Sequence, residues 1–554
     1  MSLAELGHYI KSGERCHLVG IGGASMSALA EILHGQGINV SGSDINESPV
    51  ISRIRALGID VMSSHRAENI EGAGYIIRTA AAREDNVEIK AARAKGIPVF
   101  ERGQAWGYIM SWYKNAICVA GVHGKTTTTS MVTHILLAAE VDPTIMIGGT
   151  LPILGSGYRV GNGDYIALES CEYYNSFHNF CPTVAVILNV DTDHLDFFKD
   201  LDDLKNSFRK FASLVPDAGY IVCNGDDGNT MEALAPLGRD LFTFGFGEIA
   251  VPYDKAAGLN AYQTAKASIK AQETEIAAGL QPKRRIRRTQ AAQMHSGESN
   301  IAQQAAYGEH DGQMLQVAQR VKSYRESHLH RPHAIPIRVR GVNVNHIGQN
   351  PSMDILYDGE PLCKITLQIP GIHNLRNALA SIAACLALGI PVRAIENGLF
   401  SYKGVGRRFE YKGSINGAVV YDDYAHHPSE LCATLDSVST LGYKRVILAF
   451  QPHTFSRTKA LFDDFVTELS RPDITIIAPI YAAREKDDRT ISSKVLADAV
   501  PGALCYGSLQ EITDMIAGIA KEGDIILTAG AGDIHKVGEG LTAHNCNPGE
   551  NELK

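Results

Sequence analysis

At 554 residues the chain is too long for one ordinary hydrophobic core, so about three domains of roughly 150 to 200 residues are expected. Its 45% hydrophobic and 20% charged residues suit a globular protein in water, and a formal charge of −9 gives no footing for a nucleic-acid partner. Ten scattered cysteines without a C-x-x-C pair argue against a disulfide framework or a zinc knuckle. No signal peptide is visible, and no apolar run nears the ~18 residues that span a bilayer, so a cytoplasmic location without integral membrane contact is expected.

In chain order, a strand-like run at 16–20 leads into a glycine turn. A helical pattern follows, with Met26, Leu29, Ile32 and Leu33 on one face. Short apolar runs at 39–41, 75–77 and 98–100 alternate with helices, which predicts a parallel α/β sheet. Near Asn115 a second unit starts, with an apolar strand at 116–120, a glycine-containing loop and a helix from about Thr127. Runs at 165–168 and 183–188 read as its buried continuation. Residues 251–333 differ: rich in Ala and Gln, they hold 12 Lys and Arg against 7 Asp and Glu. A helical hairpin or a partly disordered insertion is expected there, with the basic cluster from Lys283 to Arg288 as a solvated face. From Thr366 the globular pattern resumes, with a helix over 374–388 and a hinge-like stretch at 404–408. A third α/β unit has strands at 418–421, 445–450, 474–478 and 524–528. The tail after Gly540 is polar and is expected to fray.

The sharpest local signal is Gly121, Val122, His123, Gly124, Lys125, Thr126 and Thr127, following a strand and opening a helix. Glycines let backbone N–H groups approach phosphate oxygens, and a helix N-terminus adds partial positive charge. Lys125 would bridge the β- and γ-phosphates of ATP, and the Thr126 hydroxyl would ligate Mg²⁺. Val119 stands where the common eight-residue pattern has its first glycine, so this loop is shorter. Glu169 and Glu172 follow one strand and His194 follows another, at the carboxyl ends where open α/β sheets place ligands. Glu169 and His194 are candidates for a second divalent ion; a surface or capping role for each stays open at this point.

Five motifs in order resemble the Mur ligase family, over about 1–250 and 335–540. They are Gly20-Ile21-Gly22-Gly23-Ala24-Ser25-Met26-Ser27, Gly371-Ile372-His373-Asn374-Leu375-Arg376-Asn377-Ala378, Gly406-Arg407-Arg408-Phe409-Glu410, Tyr421-Asp422-Asp423-Tyr424-Ala425-His426-His427-Pro428 and Gln451-Pro452-His453-Thr454-Phe455-Ser456-Arg457-Thr458. The short Gly-x-x-Gly-Lys-Thr-Thr loop is also that family's. The resemblance implies three α/β domains: a Rossmann-like one at 1–113, a central phosphate-loop ATPase domain at 114–403 holding the insertion, and a Rossmann-like one at 404–554. It implies ATP-dependent joining of L-alanine to the lactyl carboxylate of UDP-N-acetylmuramate through an acyl phosphate, by a monomer or homodimer. The rival within the family is a ligase attaching a preformed peptide to the same sugar nucleotide; outside it, a non-catalytic nucleotide-binding regulator.

The same resemblance implies roles. Lys125, His194 and Arg408 would be catalytic, with Asn374 and Asn377 on adenine and Arg408, joined by Arg407, reaching ATP on closure. Thr126, Glu169 and His194 would hold metal, although Ser170 and Cys171 replace family residues and leave Glu172 as an alternative. Gly22, Gly23, Ser25, Met26, Ser27, Asp44 and Thr79 would hold the UDP-sugar. The Gly20, Gly22 and Asp44 spacing also resembles a dinucleotide fingerprint, but Ser25 occupies its third glycine position. Tyr424, His427, His453 and Arg457 would form the amino-acid pocket, with Thr454 where many relatives carry a second arginine.

Overall fold

Strands that are apolar along their whole length need cover on both faces, which a parallel sheet flanked by helices provides. The structure, a computed structural model, describes residues 3–79, 81–193, 197–247, 337–483, 485–487 and 489–543; the 251–333 segment, His194 and the end of the tail lie outside them. Among the described residues three sheets form, and no helix is long and apolar enough to cross a membrane.

The first sheet consists of β1 (Cys16–Val19), β2 (Val40–Ser43), β3 (Asp60–Met62), β4 (Tyr75–Arg78) and β5 (Val99–Glu101). All are parallel, in the order β3-β2-β1-β4-β5. The winding reverses between β1 and β4, so a crevice opens at their carboxyl ends. The glycine turn and Thr79 meet there. Gly20 has φ 80°, and a Cβ on it would stand 2.6 Å from Thr79 Cγ2, so only glycine fits.

The second sheet has ten described strands: β6 (Asn115–Ala120), β7 (Thr144–Leu151), β8 (Ser156–Arg159), β9 (Tyr165–Glu169), β10 (Val184–Ile187), β11 (Tyr220–Asn224), β12 (Leu241–Gly245), β13 (Val339–Asn345), β14 (Ser352–Tyr357) and β15 (Glu360–Thr366). Their order is β15-β14-β13-β12-β11-β10-β6-β9-β7-β8. β6 is central, with β10 and β9 parallel on either side. Two antiparallel additions went unpredicted, the β7–β8 hairpin and the β13–β15 meander. β14 buries alternate residues only, as a strand with one wet face does, so it lacks a continuous apolar run.

The helix after β6 runs over Lys125–Ala138, two residues earlier than the sequence suggested, because Gly124 in the left-handed region ends the loop at its N-cap. It packs on two helices from beyond the insertion, Ile372–Ala387 and Val392–Ser401. The approach is close: a Cβ on Gly398 would lie 2.5 Å from Ile135 Cα. The third sheet holds β16 (Glu410–Ile415), β17 (Ala418–Asp423), β18 (Arg445–Phe450), β19 (Ile474–Ile477), β20 (Leu504–Cys505) and β21 (Asp524–Ala529), ordered β16-β17-β21-β18-β19-β20. Only β16, at an edge, is antiparallel. Helix His535–Ala543 continues past Gly540, where polarity alone suggested fraying, because Val537 and Leu541 are buried.

The contact at Gly398 gives a stability prediction. Gly398→Val should force the two helices apart and destabilise the fold by about 1–3 kcal/mol, as overpacking does. Thermal unfolding followed by circular dichroism reads this as a lower midpoint; an unchanged midpoint would show that the helices have room to spare.

Candidate functional site

The 121–124 loop is shaped by its glycines and clamped by one asparagine. Gly121 has φ 146° and Gly124 φ 85°, and a Cβ on Gly124 would meet Asn377 Oδ1 at 2.5 Å. Asn189, just beyond β10, accepts from His123 N at 2.9 Å through Oδ1 and donates from Nδ2 to the His123 carbonyl at 3.0 Å. Its own carbonyl accepts from Val122 N at 3.3 Å. The loop is thus preorganised by side-chain bonds rather than by packing alone.

Lys125 folds back under this loop. Its Nζ donates to the Gly121 carbonyl at 2.6 Å and the Val122 carbonyl at 3.0 Å, and it pairs with Glu172 at 3.1 Å. Burial alone would favour the neutral amine, but the Glu172 carboxylate outweighs it, with smaller help from Glu169, and the ammonium is held above its usual range. Glu169 faces elsewhere: its Oε2 accepts from Thr126 Oγ1 at 2.8 Å and from Gly148 N at 2.7 Å. The two glutamates that the sequence left as alternatives are thereby separated, one on the lysine and one on the threonine hydroxyl.

Opposite the loop stand residues of the third sheet and its linker. A cleft of about 620 Å³, counting the open space at its mouth, is lined by Val122 through Thr126, Glu169, Arg408, Tyr424 and His427, each singled out in the sequence, and by Asp193, His426 and Glu430, to which the sequence assigned no role. The Arg408 guanidinium lies 5.1 Å from the Tyr424 ring centroid and 3.6 Å from Glu430. Burial pulls its pKa down, and Glu430, Asp423 and Glu169 more than restore it. Arg407 also lies over the Tyr424 ring, at 5.0 Å, but it is not among the lining residues: it pairs with Asp422 at 2.9 Å and donates to the carbonyls of Gly530 and Gly532, bracing the third sheet. Burial also pushes the Asp423 carboxyl up to about 6, although Arg408 and the Ala425 N–H oppose this.

Arg457 reaches across to Asp193 at 3.0 Å and touches His453 Nδ1 at 3.2 Å. His453 stacks on Tyr481 with centroids 5.8 Å apart. His427 is the N-cap of helix Pro428–Ser439, with Nδ1 2.7 Å from Ser429 Oγ. Its Nε2 is buried without a hydrogen-bond partner among the described residues. Asn374 is buried and gives its amide donor to the Pro370 carbonyl at 2.6 Å, so it shapes the entry to its own helix, while Asn377 stands against Gly124.

The first-sheet candidates do not line this cleft. Asp44 Oδ2 accepts from Gly22 N at 2.9 Å, and Ser25 Oγ accepts from Trp106 Nε1 at 2.7 Å. Met26 and Ser27 are buried, and their N–H groups donate to the Gly23 carbonyl. Their contribution is to hold the turn, and the first-turn N–H groups left for a ligand belong to Ala24 and Ser25.

Parallel sheets, a short phosphate loop and a facing cluster of His, Arg and Glu define a nucleotide-binding α/β protein of several domains. Residues 15–114 match the Mur ligase family, catalytic domain, residues 119–292 the Mur ligase middle domain, and residues 407–532 the Mur ligase, glutamate ligase domain. A UDP-N-acetylmuramate–L-alanine ligase of Clostridium novyi is 36% identical over 95% of this chain and 97% of its own. One of Acetivibrio thermocellus is 39% identical over 94% of each. Among solved structures, a UDP-N-acetylmuramate-alanine ligase from Thermotoga maritima superposes with a TM-score of 0.67 at 23% identity, covering 96% of this chain and 99% of that one. The chain belongs to the Mur ligase family.

The buried imidazoles give a pH prediction. Burial, reinforced by neighbouring His123, holds His427 at about 4, and burial beside His426 does the same for His453. In the unfolded chain both titrate near 6.5. Between pH 6.5 and 4 the unfolded state therefore takes up protons that the folded state refuses. Their stability contribution is complete above that window and is lost as pH falls through it. Urea unfolding of His427→Gln across this range should show a flatter acid limb than the parent; superimposable limbs would contradict a neutral His427.

Proposed function

We propose that the chain is an ATP-dependent ligase that joins L-alanine to the lactyl carboxylate of UDP-N-acetylmuramate in peptidoglycan precursor synthesis, working in the cytoplasm. Residues 1–113 hold the sugar nucleotide, 114–403 hold ATP and 404–554 supply the amino-acid pocket. The observation that carries this reading is the meeting of residues 122–126 of the phosphate loop with Arg408, Tyr424 and His427 of the last segment around one cleft, with Arg457 joined to its wall through Asp193.

The amides of the loop and the Lys125 ammonium grip the triphosphate. An ammonium kept charged by Glu172 can exchange its bonds to the Gly121 and Val122 carbonyls for phosphate oxygens. Thr126 Oγ1 and Glu169 Oε2, 2.8 Å apart, are hard oxygen donors that suit Mg²⁺; Thr126 would hold one ion, and Glu169 with His194 a second. Such ions would supply neutralisation of phosphate charge. Glu169 fits this better than Glu172, whose oxygens are engaged by Lys125. The lactyl carboxylate attacks the γ-phosphorus of ATP, ADP departs, and the carboxyl carbon gains a phosphate leaving group. The amine of alanine adds to that carbon, and phosphate leaves from the tetrahedral intermediate as the amide forms.

His427 has a definite part in this. Ser429 N–H and Oγ both face Nδ1, which places the ring proton on Nε2. His427 lines the cleft, and its buried Nε2–H, without a hydrogen-bond partner among the described residues, can donate to the alanine carboxylate or to the oxyanion of the intermediate. Arg457 presents a guanidinium suited to the same carboxylate. The Ala24 and Ser25 amides meet the diphosphate of the sugar nucleotide, and Asp44 orders the turn that presents them.

A coupled phosphate-release assay tests the reading. Turnover is expected with ATP, UDP-N-acetylmuramate and L-alanine; turnover with a tripeptide and none with L-alanine would transfer the chain to the peptide-attaching ligases. Lys125→Ala should lower turnover by roughly three orders of magnitude or more, on the scale of losing a charged transition-state contact. Calorimetric affinity for the UDP-sugar should persist in that variant, and equal loss of both would contradict separate sites.

A further inference from the structure

Glu430 is the residue on which the cleft converges, and no motif called attention to it. It lies in the first turn of helix Pro428–Ser439, with 13% of its side chain exposed. Three elements meet its carboxylate. His123 of the phosphate loop brings Nδ1 to 3.5 Å, and Arg408 of the linker brings Nη1 to 3.6 Å. His426, at the end of the stretch after β17, brings its backbone N to 3.0 Å and Nδ1 to 3.2 Å. From His426 the contacts continue: its ring lies edge-on to His453 at 5.5 Å, and His453 Nδ1 touches Arg457 Nη1 at 3.2 Å.

We infer that Glu430 is a positioning residue that couples the phosphate loop to the amino-acid pocket, acting through His123 and Arg408 on one side and His426 on the other. The inference rests on the functional reading above for what the two ends bind. A carboxylate accepts only, with about four lone-pair sites, so one group can hold donors from three elements at once. A glutamine there would turn an amide NH₂ toward at least one donor. A nucleotide phosphate arriving at the loop competes for His123 and Arg408, two of the three groups on Glu430. Glu430 is then left to His426, and the change passes by contact to His453 and Arg457. Occupancy of one site thereby alters the other, and the linkage is reciprocal.

The test uses the full chain with ¹³C-labelled histidine, whose His426 and His453 signals are assigned through His426→Gln and His453→Gln. In the parent, a non-hydrolysable ATP analogue should shift both signals. In Glu430→Gln the analogue should bind at least as tightly, because a negative charge beside the phosphate site is gone, yet the His453 signal should stay in place. Kinetically, the KM for L-alanine should rise by roughly tenfold, within the usual range for coupled sites, while the KM for ATP does not rise. A loss of general integrity would instead weaken both. His426→Gln, which keeps Glu430, should likewise abolish the response at His453, and it serves should Glu430→Gln fold poorly. Nucleotide binding to the parent with no shift at either histidine would overturn the coupling alone, as would an equal shift in Glu430→Gln. Absence of nucleotide binding to the parent would overturn both the coupling and the ligase reading.

Discussion

An ammonium buried beneath a glycine loop needs a counter-charge, and here Glu172 provides it at 3.1 Å. Without that carboxylate, burial would pull the Lys125 ammonium down toward its neutral form, which offers a triphosphate less. With it, the lysine also braces the loop by donating to the Gly121 and Val122 carbonyls. The same pairing dictates that Glu169, not Glu172, is left facing the Thr126 hydroxyl. The glycines and Asn189 give the loop its shape, while its charge and the division of labour between two glutamates follow from one ion pair.

The loop is half of a site. Its other half arrives from about three hundred residues further along the chain, on the turn after β17 and the helix that turn caps. His123 is the loop's contribution to this meeting: its Nε2 lies 2.9 Å from Ser429 Oγ and its ring 5.0 Å from that of His427. Ser429 in turn fixes the tautomer of His427. The position of a proton on the far side of the cleft thus depends on a residue chosen by the phosphate loop.

The sequence made the parallel strands legible because burial on both faces leaves an uninterrupted apolar run, as in β6, β10 and β18. The phosphate loop was legible because its chemistry demands glycines and a lysine at fixed spacing. What escaped notice had no such local imprint. β14 buries every second residue, and β7 is interrupted by the exposed Gly148 and half-buried Gly149, so neither has a run to detect. Glu430 and Asn189 act through partners remote in sequence, and nothing near them in the chain announces those partners. Arg407 and Arg408 are neighbours of one chemical type, yet one braces β17 and the other enters the cleft. Their difference lies in a backbone turn, with Arg407 at φ 61°, that composition does not encode.

The described chain leaves the second sheet after β12 and rejoins it at β13 almost at the same place. Phe244 pairs with Val339, and Arg338 N donates to the Thr243 carbonyl at 3.2 Å. Two ends held a rung apart set a gap that a stretch of almost any length can close, since doubling a closed loop costs only about 0.6 kcal/mol. The sheet therefore registers where the intervening stretch begins and finishes but exacts almost nothing for how long it is. Evolution is free to lengthen or trim it at this point while the ladder on either side keeps its pairing.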